Sequence, residues 1–138
     1  MSDGNEVSLE ALLSLQPSQL YVSREKLTIV ESMYDFSTPM GISPIPIKHL
    51  DGAQVMMDGH TRALAAYLAG LLTVPTYPDP DELDWDAYRI CVAWCHDENI
   101  YSIADLADRV VSPEDYERLW YDRCRQMQSD LAEKRRER

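Results

Sequence analysis

The segment AQVMMDGHTRALAAYLAG, residues 53–70, constrains the fold more than any other part of the chain. A short apolar run typical of a strand ends in Asp-Gly-His-Thr-Arg, and a helical repeat of leucine and alanine begins at once. The pattern predicts a strand that passes directly into a helix N-terminus. Unpaired amide groups and a partial positive charge make that end of a helix a natural site for anions.

The residue types at this strand–helix seam suit a phosphate ligand. Gly59 lets the backbone approach a ligand closely. Arg62 can bind a phosphate with its forked guanidinium, Thr61 can donate a hydroxyl, and His60 can donate an N–H. Asp58 could hold Mg²⁺ or orient a substrate hydroxyl. The alternative is that Asp58 merely caps the helix and that Arg62 is a surface residue.

Two helices are predicted in the first half of the chain. Ser23 is the expected N-cap of the first, whose core-facing residues recur at helical spacing: Leu27, Val30, Met33 and Tyr34. The second should begin near His60 and end before Gly70, with one buried face made of Leu64, Ala65, Leu68 and Ala69.

The strands predicted around these helices form a small mixed sheet. EVSLEALLSL predicts a short strand and a turn, and QPSQLYVS a loop or one helical turn. PIPIKHL is a strand, and Pro44 and Pro46 favour an edge position for it. The Asp51-Gly52 pair predicts a tight hairpin leading into AQVMMD, and LTVPTYP is the last strand.

Residues 81–138 are predicted to be entirely helical, with three helices. The last of them has a strong start, with Ser112 at the N-cap and Pro113 in the first turn. Its expected inner face consists of Tyr116, Leu119, Trp120, Arg123 and Met127. We therefore expect an α+β protein, with a mixed sheet and helices over residues 1–80 and an acidic helical extension over residues 81–138 packed on it.

The acidic composition narrows the classes of partner. A formal net charge of −11 and a sequence pI near 4.5 argue against nucleic acid and anionic membranes as partners. No apolar run approaches the roughly 20 residues of a membrane span, and the acidic, polar N-terminus does not look like a signal peptide. Three cysteines suggest no disulfide framework, so a cytoplasmic location is expected.

VMMDGHTRALAAYLAGLLTVP resembles the signature of the ParB/sulfiredoxin-like superfamily, in which a strand enters a glycine- and arginine-containing motif followed by an alanine-rich helix. LQPSQLYVSREKL is similar to the family's first loop, and SPIPIKHLDG to its central hairpin. The resemblance covers about residues 7–80. It implies a ParB-like fold and a nucleotide ligand, ATP, ADP or CTP, bound with Mg²⁺.

Three branches of the superfamily differ at the seam. ParB proteins bind CTP there, but His60 and Thr61 replace their usual Glu-Arg pair. His60 also stands where sulfiredoxins carry the catalytic cysteine. The Asp-Gly-His-x-Arg motif of free serine kinases matches best, although Gln19 stands near the position of their catalytic glutamate. Glutamine cannot serve as a general base, and Glu25 and Glu31 lie on the helix that follows.

The resemblance and the residue chemistry give one leading hypothesis. A nucleotide or a phosphorylated small molecule would be bound by Gly59, His60, Thr61 and Arg62. Asp58 would bind the metal. If the protein is an enzyme, Asp58 and His60 would be the catalytic residues of a kinase-like phosphotransferase or nucleotide hydrolase. The alternatives are a non-catalytic module whose helical extension binds a protein, and a ParB-like DNA-associated protein, against which the net charge argues. The hairpin and the last helix would both permit a homodimer.

Overall fold

The computed structural model describes residues 6–137. The predicted regions begin at residue 1 and end at residue 138, so their outer limits lie outside the described residues. The strands are β1 (Ser8–Ala11), β2 (Val22–Ser23), β3 (Ile45–Leu50), β4 (Ala53–Met56), β5 (Thr73–Pro78) and β6 (Val110–Val111). The helices are α1 (Arg24–Met33), α2 (His60–Leu68), α3 (Trp85–Asp97), α4 (Pro113–Tyr116) and α5 (Asp122–Arg136). The α+β class predicted from the sequence is confirmed.

The main sheet has the strand order β1-β5-β3-β4 and contains both parallel and antiparallel pairs. β3 is antiparallel to β4 and parallel to β5, so the edge position predicted for β3 is wrong. Pro46 fits inside because its carbonyl accepts from the Met57 amide on the β4 side, and β4 itself ends at Met56. Proline has no backbone N–H to donate on that side. Because β4 has already ended there, the sheet loses no hydrogen bond.

The hairpin between β3 and β4 is confirmed at the predicted residues. Asp51 and Gly52 both have positive φ angles, of 52° and 87°, as a type I′ turn requires. Leu50 and Ala53 face each other directly across the turn. The turn sets the register that carries β4 toward the seam at Asp58.

α2 follows β4 through the seam, as predicted, but its buried face is rotated. Ala63, Leu64, Ala65 and Ala66 are buried, whereas Leu68 is 50% exposed and Ala69 is exposed, which corrects the expected core face. The helix ends in a Schellman motif, in which the Gly70 amide donates to Tyr67 and the Leu71 amide to Ala66. This early ending at Leu68 leaves the last predicted core positions outside the packed face.

α1 begins at the predicted cap and contributes less to the core than its pattern suggests. The Ser23 hydroxyl accepts from the Lys26 amide, and Leu27 is buried. Met33 is 61% exposed, so its predicted core position is wrong. Met33 is the last residue of α1, one turn beyond the partly buried Val30, so no further helical turn follows it.

The second half of the chain is not entirely helical. β6 pairs in parallel with β2 from the first half, through Val22–Val110 and Ser23–Val111. One hydrophobic cluster joins both halves, with Leu20 and Leu64 from the first and Trp120 and Met127 from the second. Ion pairs between Arg135 and the carboxylates of Asp84 and Asp86 also connect the end of α5 to the start of α3.

The last helix contains an interruption that its sequence does not announce. Between α4 and α5 lies a π-helical segment, Glu117–Tyr121, in which the turns are wider than in an α-helix. The Ser112 cap of α4 is confirmed, with its hydroxyl accepting from the Asp115 amide. Of the predicted inner face, Tyr116, Trp120 and Met127 are buried, but Arg123 is exposed. Its guanidinium lies over the Trp94 ring, 4.2 Å from the centroid, and forms an ion pair with Glu98 at the end of α3.

In the described part of the chain, no helix combines the length and the apolar character needed to cross a membrane.

Candidate functional site

The seam opens onto a cleft of about 400 Å³ between α2, α1 and the last helix. Its walls come from three parts of the chain: the seam itself, the exposed side of α1, and the π-helical segment with its flanking residues. The lining residues are Gln19, Lys26, Ile29, Val30, Asp58, Gly59, His60, Thr61, Arg62, Tyr116, Trp120 and Tyr121. All five predicted seam residues therefore border one space.

The first residues of α2, His60, Thr61 and Arg62, border this cleft. Gly59 is the N-cap residue with φ at 79°, a left-handed conformation that glycine adopts without steric cost. Asp58 does not cap the helix, because its carboxylate accepts from the Gly59 amide at 2.8 Å, outside the first turn. The first helical bond runs from the Ala63 amide to the Gly59 carbonyl. The amides of residues 60–62 come before this first bond, so the helix itself provides no acceptor for them.

His60 is almost completely buried, with only 4% of its surface exposed. Its Nε2 accepts a hydrogen bond from the Ser18 amide at 2.9 Å, so the ring proton belongs on Nδ1. Burial lowers the pKa of His60 to about 4, which keeps the ring neutral near pH 7, although the Asp58 charge acts in the opposite direction. The Nδ1 atom has no hydrogen-bond partner among the described residues.

Arg62 lies beside the seam with its guanidinium only partly bonded. One terminal nitrogen donates to the Pro44 carbonyl at 3.1 Å, while the buried Nε has no partner among the described residues. None of the ion pairs found in that part of the chain involves Arg62. Thr61 is partly buried at the cleft wall, and Asp58 is exposed at its mouth.

Among the described residues, the loop before α1 contributes Gln19 and no acidic side chain to the cleft. Gln19 lines the cleft, and its amide nitrogen donates to the Tyr21 carbonyl and to the Tyr116 hydroxyl, at 2.7 and 3.0 Å. Glu25 and Glu31 are exposed residues of α1 and do not line the cleft. Asp58 is the one carboxylate among the lining residues.

Sequence reasoning missed the far wall of the cleft. Lys26 of α1 faces Tyr116 and Tyr121 across this space. A lysine in the first turn of an amphipathic helix carries no local signal of a binding role. Tyr116 was expected to be a core residue, and its ring is indeed buried, but only the folded chain shows that it borders the cleft.

A smaller cavity of about 230 Å³ lies behind His60, toward α3 and α5. Cys91 and Cys124 both line it, and Cys95 is buried nearby. No group of three His, Cys, Asp or Glu side chains in residues 6–137 is arranged to hold a metal ion. The Mg²⁺ site predicted at Asp58 thus has a single carboxylate.

The three thiols should differ in reactivity. A hydrogen bond from Cys91, together with nearby Arg123 and Arg125, lowers the pKa of Cys124, whereas burial raises the pKa of Cys95 to about 12. Because the thiolate is the nucleophile, iodoacetamide at about pH 7.5 should alkylate Cys124 at least roughly tenfold faster than Cys95. Mass spectrometry of peptides from the native protein measures the order, and a denatured sample provides the control. Preferential labelling of Cys95 would contradict this prediction.

Comparison with known proteins adds information on the fold only. The sequence matches no protein-family model and no curated protein. Among solved structures, the fold is similar to the crystal structure of protein Atu1540 from Agrobacterium tumefaciens, with a TM-score of 0.50 and 17% identity over 73% of this chain. The chain spans 61% of the length of that protein. At this identity the similarity concerns the fold and not the ligand.

Proposed function

We propose that the cleft at the seam binds the phosphate of a nucleotide or of another phosphorylated small molecule. The observation that carries the proposal is a pair of buried N–H groups, at His60 Nδ1 and Arg62 Nε, that have no partner among the described residues. Leaving a buried donor unpaired costs about 1–3 kcal/mol, so such groups in a native structure call for an explanation. Both atoms are closed to solvent, so a phosphate oxygen in the cleft would accept from them after a small movement of the His60 and Arg62 side chains.

The electrostatics of the cleft also favour an anion. Lys26 and Arg62 line it against the single carboxylate of Asp58, although the whole chain carries a net charge of −11. His60 adds a donor without adding charge, because its ring stays neutral. The amides that precede the α2 ladder would supply further donors and the positive end of the helix dipole.

A nucleotide is the ligand that the seam motif favours, by its resemblance to the ParB/sulfiredoxin-like superfamily. Asp58 fits the part of a Mg²⁺ ligand, since Mg²⁺ is commonly held by one or two carboxylates together with substrate phosphates. Bound Mg²⁺ would neutralise phosphate charge in a phosphoryl transfer or a nucleotide hydrolysis. In such reactions most of the rate enhancement comes from positioning the phosphate and stabilising its charge. Arg62 and the α2 amides would position it. The catalytic roles of Asp58 and His60 stay predictions.

Thermal shift measurements with ATP, ADP, CTP, GTP and orthophosphate, each with and without Mg²⁺, test this function. A ligand at ~100 times its dissociation constant adds roughly 2.7 kcal/mol, which raises the melting temperature by several degrees. Arg62→Ala should weaken the binding of the active ligand by roughly 10- to 100-fold, because a hydrogen bond to a charged group contributes about 1.5–3 kcal/mol.

Arg24→Ala is the matched control for Arg62→Ala. Arg24 also donates to a backbone carbonyl, that of Val110, but it does not line the cleft. It should leave the ligand-induced shift unchanged. Equal shifts in Arg62→Ala and wild type would contradict the proposed site. An unchanged melting temperature with every ligand would contradict phosphate binding and favour the hypothesis of a protein-interaction module.

A further inference from the structure

Lys26 lines the cleft, and its closest side-chain neighbours there are aromatic rings. Its ammonium donates to the Tyr121 hydroxyl at 2.6 Å and lies 5.1 Å from the centroids of both the Tyr116 and the Tyr121 rings. Both distances are within the ~6 Å range of a cation–π interaction. The two rings meet edge to face, 4.9 Å apart. Lys26 is therefore held in place by neutral aromatic groups.

The charge of Lys26 is not compensated within residues 6–137. The ion pairs found there use arginines and leave Lys26 without a carboxylate partner. Burial raises the pKa of the Tyr116 phenol, so this neighbour also stays neutral. Lys26 is exposed, so water weakens its attraction for an anion, but no carboxylate in residues 6–137 forms an ion pair with it and competes with a ligand in the cleft.

The π-helical segment is the reason that both tyrosines reach Lys26. Residues five apart on an α-helix, at about 100° per residue, point roughly 140° away from each other. Bonding from i to i+5 widens the turn and brings such residues onto nearly the same face. Tyr116 directly precedes the segment Glu117–Tyr121, and Tyr121 ends it. π-Helical turns of this kind occur frequently at functional sites.

Gln19 stabilises the same wall from the loop before α1. Its amide nitrogen donates to the Tyr116 hydroxyl at 3.0 Å and to the Tyr21 carbonyl at 2.7 Å. Gln19 thus has a structural reason to be a glutamine, because a glutamate at this place would have no N–H to donate. The residue that departs from the kinase-branch pattern positions Tyr116 beside Lys26.

We propose that Lys26 is a second anion-binding point, positioned by Tyr121, so that the cleft takes a ligand with two neighbouring anionic groups such as a diphosphate. The inference rests on the proposed phosphate site at the seam. The α2 amides, His60 and Arg62 bind one phosphate, and Lys26 binds the next from the opposite wall. Residues from both halves of the chain complete the site, since Lys26 is in the first and Tyr121 in the second.

Calorimetric titration with orthophosphate and pyrophosphate, at constant ionic strength, tests the second binding point. The wild type should bind pyrophosphate at least about tenfold more tightly than orthophosphate, a difference of about 1.4 kcal/mol. Lys26→Met should abolish that advantage and weaken orthophosphate binding by only about two- to threefold, because orthophosphate loses the general positive charge of the cleft but no direct contact. Tyr121→Phe keeps the ring and removes only the hydroxyl, so we expect a partial loss, roughly three- to fivefold, for pyrophosphate alone.

Lys48→Met is a matched control outside the cleft. Lys48 also lies over an aromatic ring, that of Trp85 at 5.2 Å, and also donates a hydrogen bond, to the Asp81 carbonyl. This variant should bind both probes as the wild type does. Circular dichroism and the melting temperature establish that each variant is folded before the titrations are compared.

The outcomes separate this inference from the proposed function. Loss of the pyrophosphate advantage in Lys26→Met, with the orthophosphate affinity retained, supports the second point. If Lys26→Met keeps the full advantage, or if the wild type shows none while orthophosphate still binds through Arg62, the second point is overturned and the seam site stands. If the wild type binds neither probe, both proposals fail.

Discussion

Lowering the pH from about 7 to about 4 should destabilise the wild type by about 3 kcal/mol more than it destabilises His60→Gln. The pKa of His60 is lowered from 6.5 to about 4 in the folded protein, because burial disfavours the charged ring. The unfolded chain therefore takes up a proton near pH 6.5, and the folded chain does not. The stabilising contribution is complete above pH 6.5 and is lost as the pH falls toward 4.

Urea unfolding of both proteins across this pH range measures the effect. The carboxylates that also titrate there are common to wild type and variant, so they cancel in the difference between the two stability curves. Glutamine keeps an oxygen that can accept from the Ser18 amide, which limits the structural change. Parallel stability curves for the two proteins would show that His60 is not held neutral by the fold.

Gly59→Ala should have the largest combined effect on stability and binding. An added Cβ would lie 2.9 Å from a terminal nitrogen of Arg62 and 3.2 Å from Cγ1 of Ile45, at a φ of +79°. The left-handed backbone costs an L-residue about 1–2 kcal/mol, and the crowding adds about 1 kcal/mol more. Because Arg62 is the more mobile neighbour, its guanidinium should move, and phosphate binding should be lost along with roughly 2–3 kcal/mol of stability.

Gly70→Ala is the matched control for this prediction. Gly70 has a φ of +93°, and an added Cβ would meet nothing within 4 Å. The free energy of unfolding of this variant should fall only by the cost of the left-handed backbone, about 1–2 kcal/mol. The variant should bind phosphate like the wild type. Chemical denaturation and phosphate titration of both variants give the comparison. If Gly59→Ala matched Gly70→Ala in both measurements, the close packing of the seam against Arg62 would have no functional role.

The local features of the fold could be predicted because each depends on a few neighbouring residues. Ser23 and Ser112 cap helices where their hydroxyls reach an amide three residues later. Asp51 and Gly52 turn the hairpin because both tolerate a positive φ. The seam at residues 58–62 was predicted on the same basis, and the structure places its residues around one cleft.

The errors arose where a partner is distant in the sequence. β3 is central because β5, about thirty residues later, pairs with it, and Pro46 is tolerated only because β4 has ended. Leu68 and Met33 are exposed, and each is the last residue of its helix. The amphipathic pattern predicts a helical face, but it does not predict where the neighbouring element ends.

The sequence by itself determined the α+β class, the hairpin and the strand–helix seam with its donors, since short-range sterics and helix capping act within a few residues. Only the tertiary structure decided what surrounds the seam. His60 stays neutral because the fold buries its ring and the Ser18 amide donates to its Nε2. Lys26 meets Tyr121, 95 positions later, because a π-helical segment turns that ring toward α1. Burial and long-range pairing depend on the whole packed chain, and no local pattern encodes them.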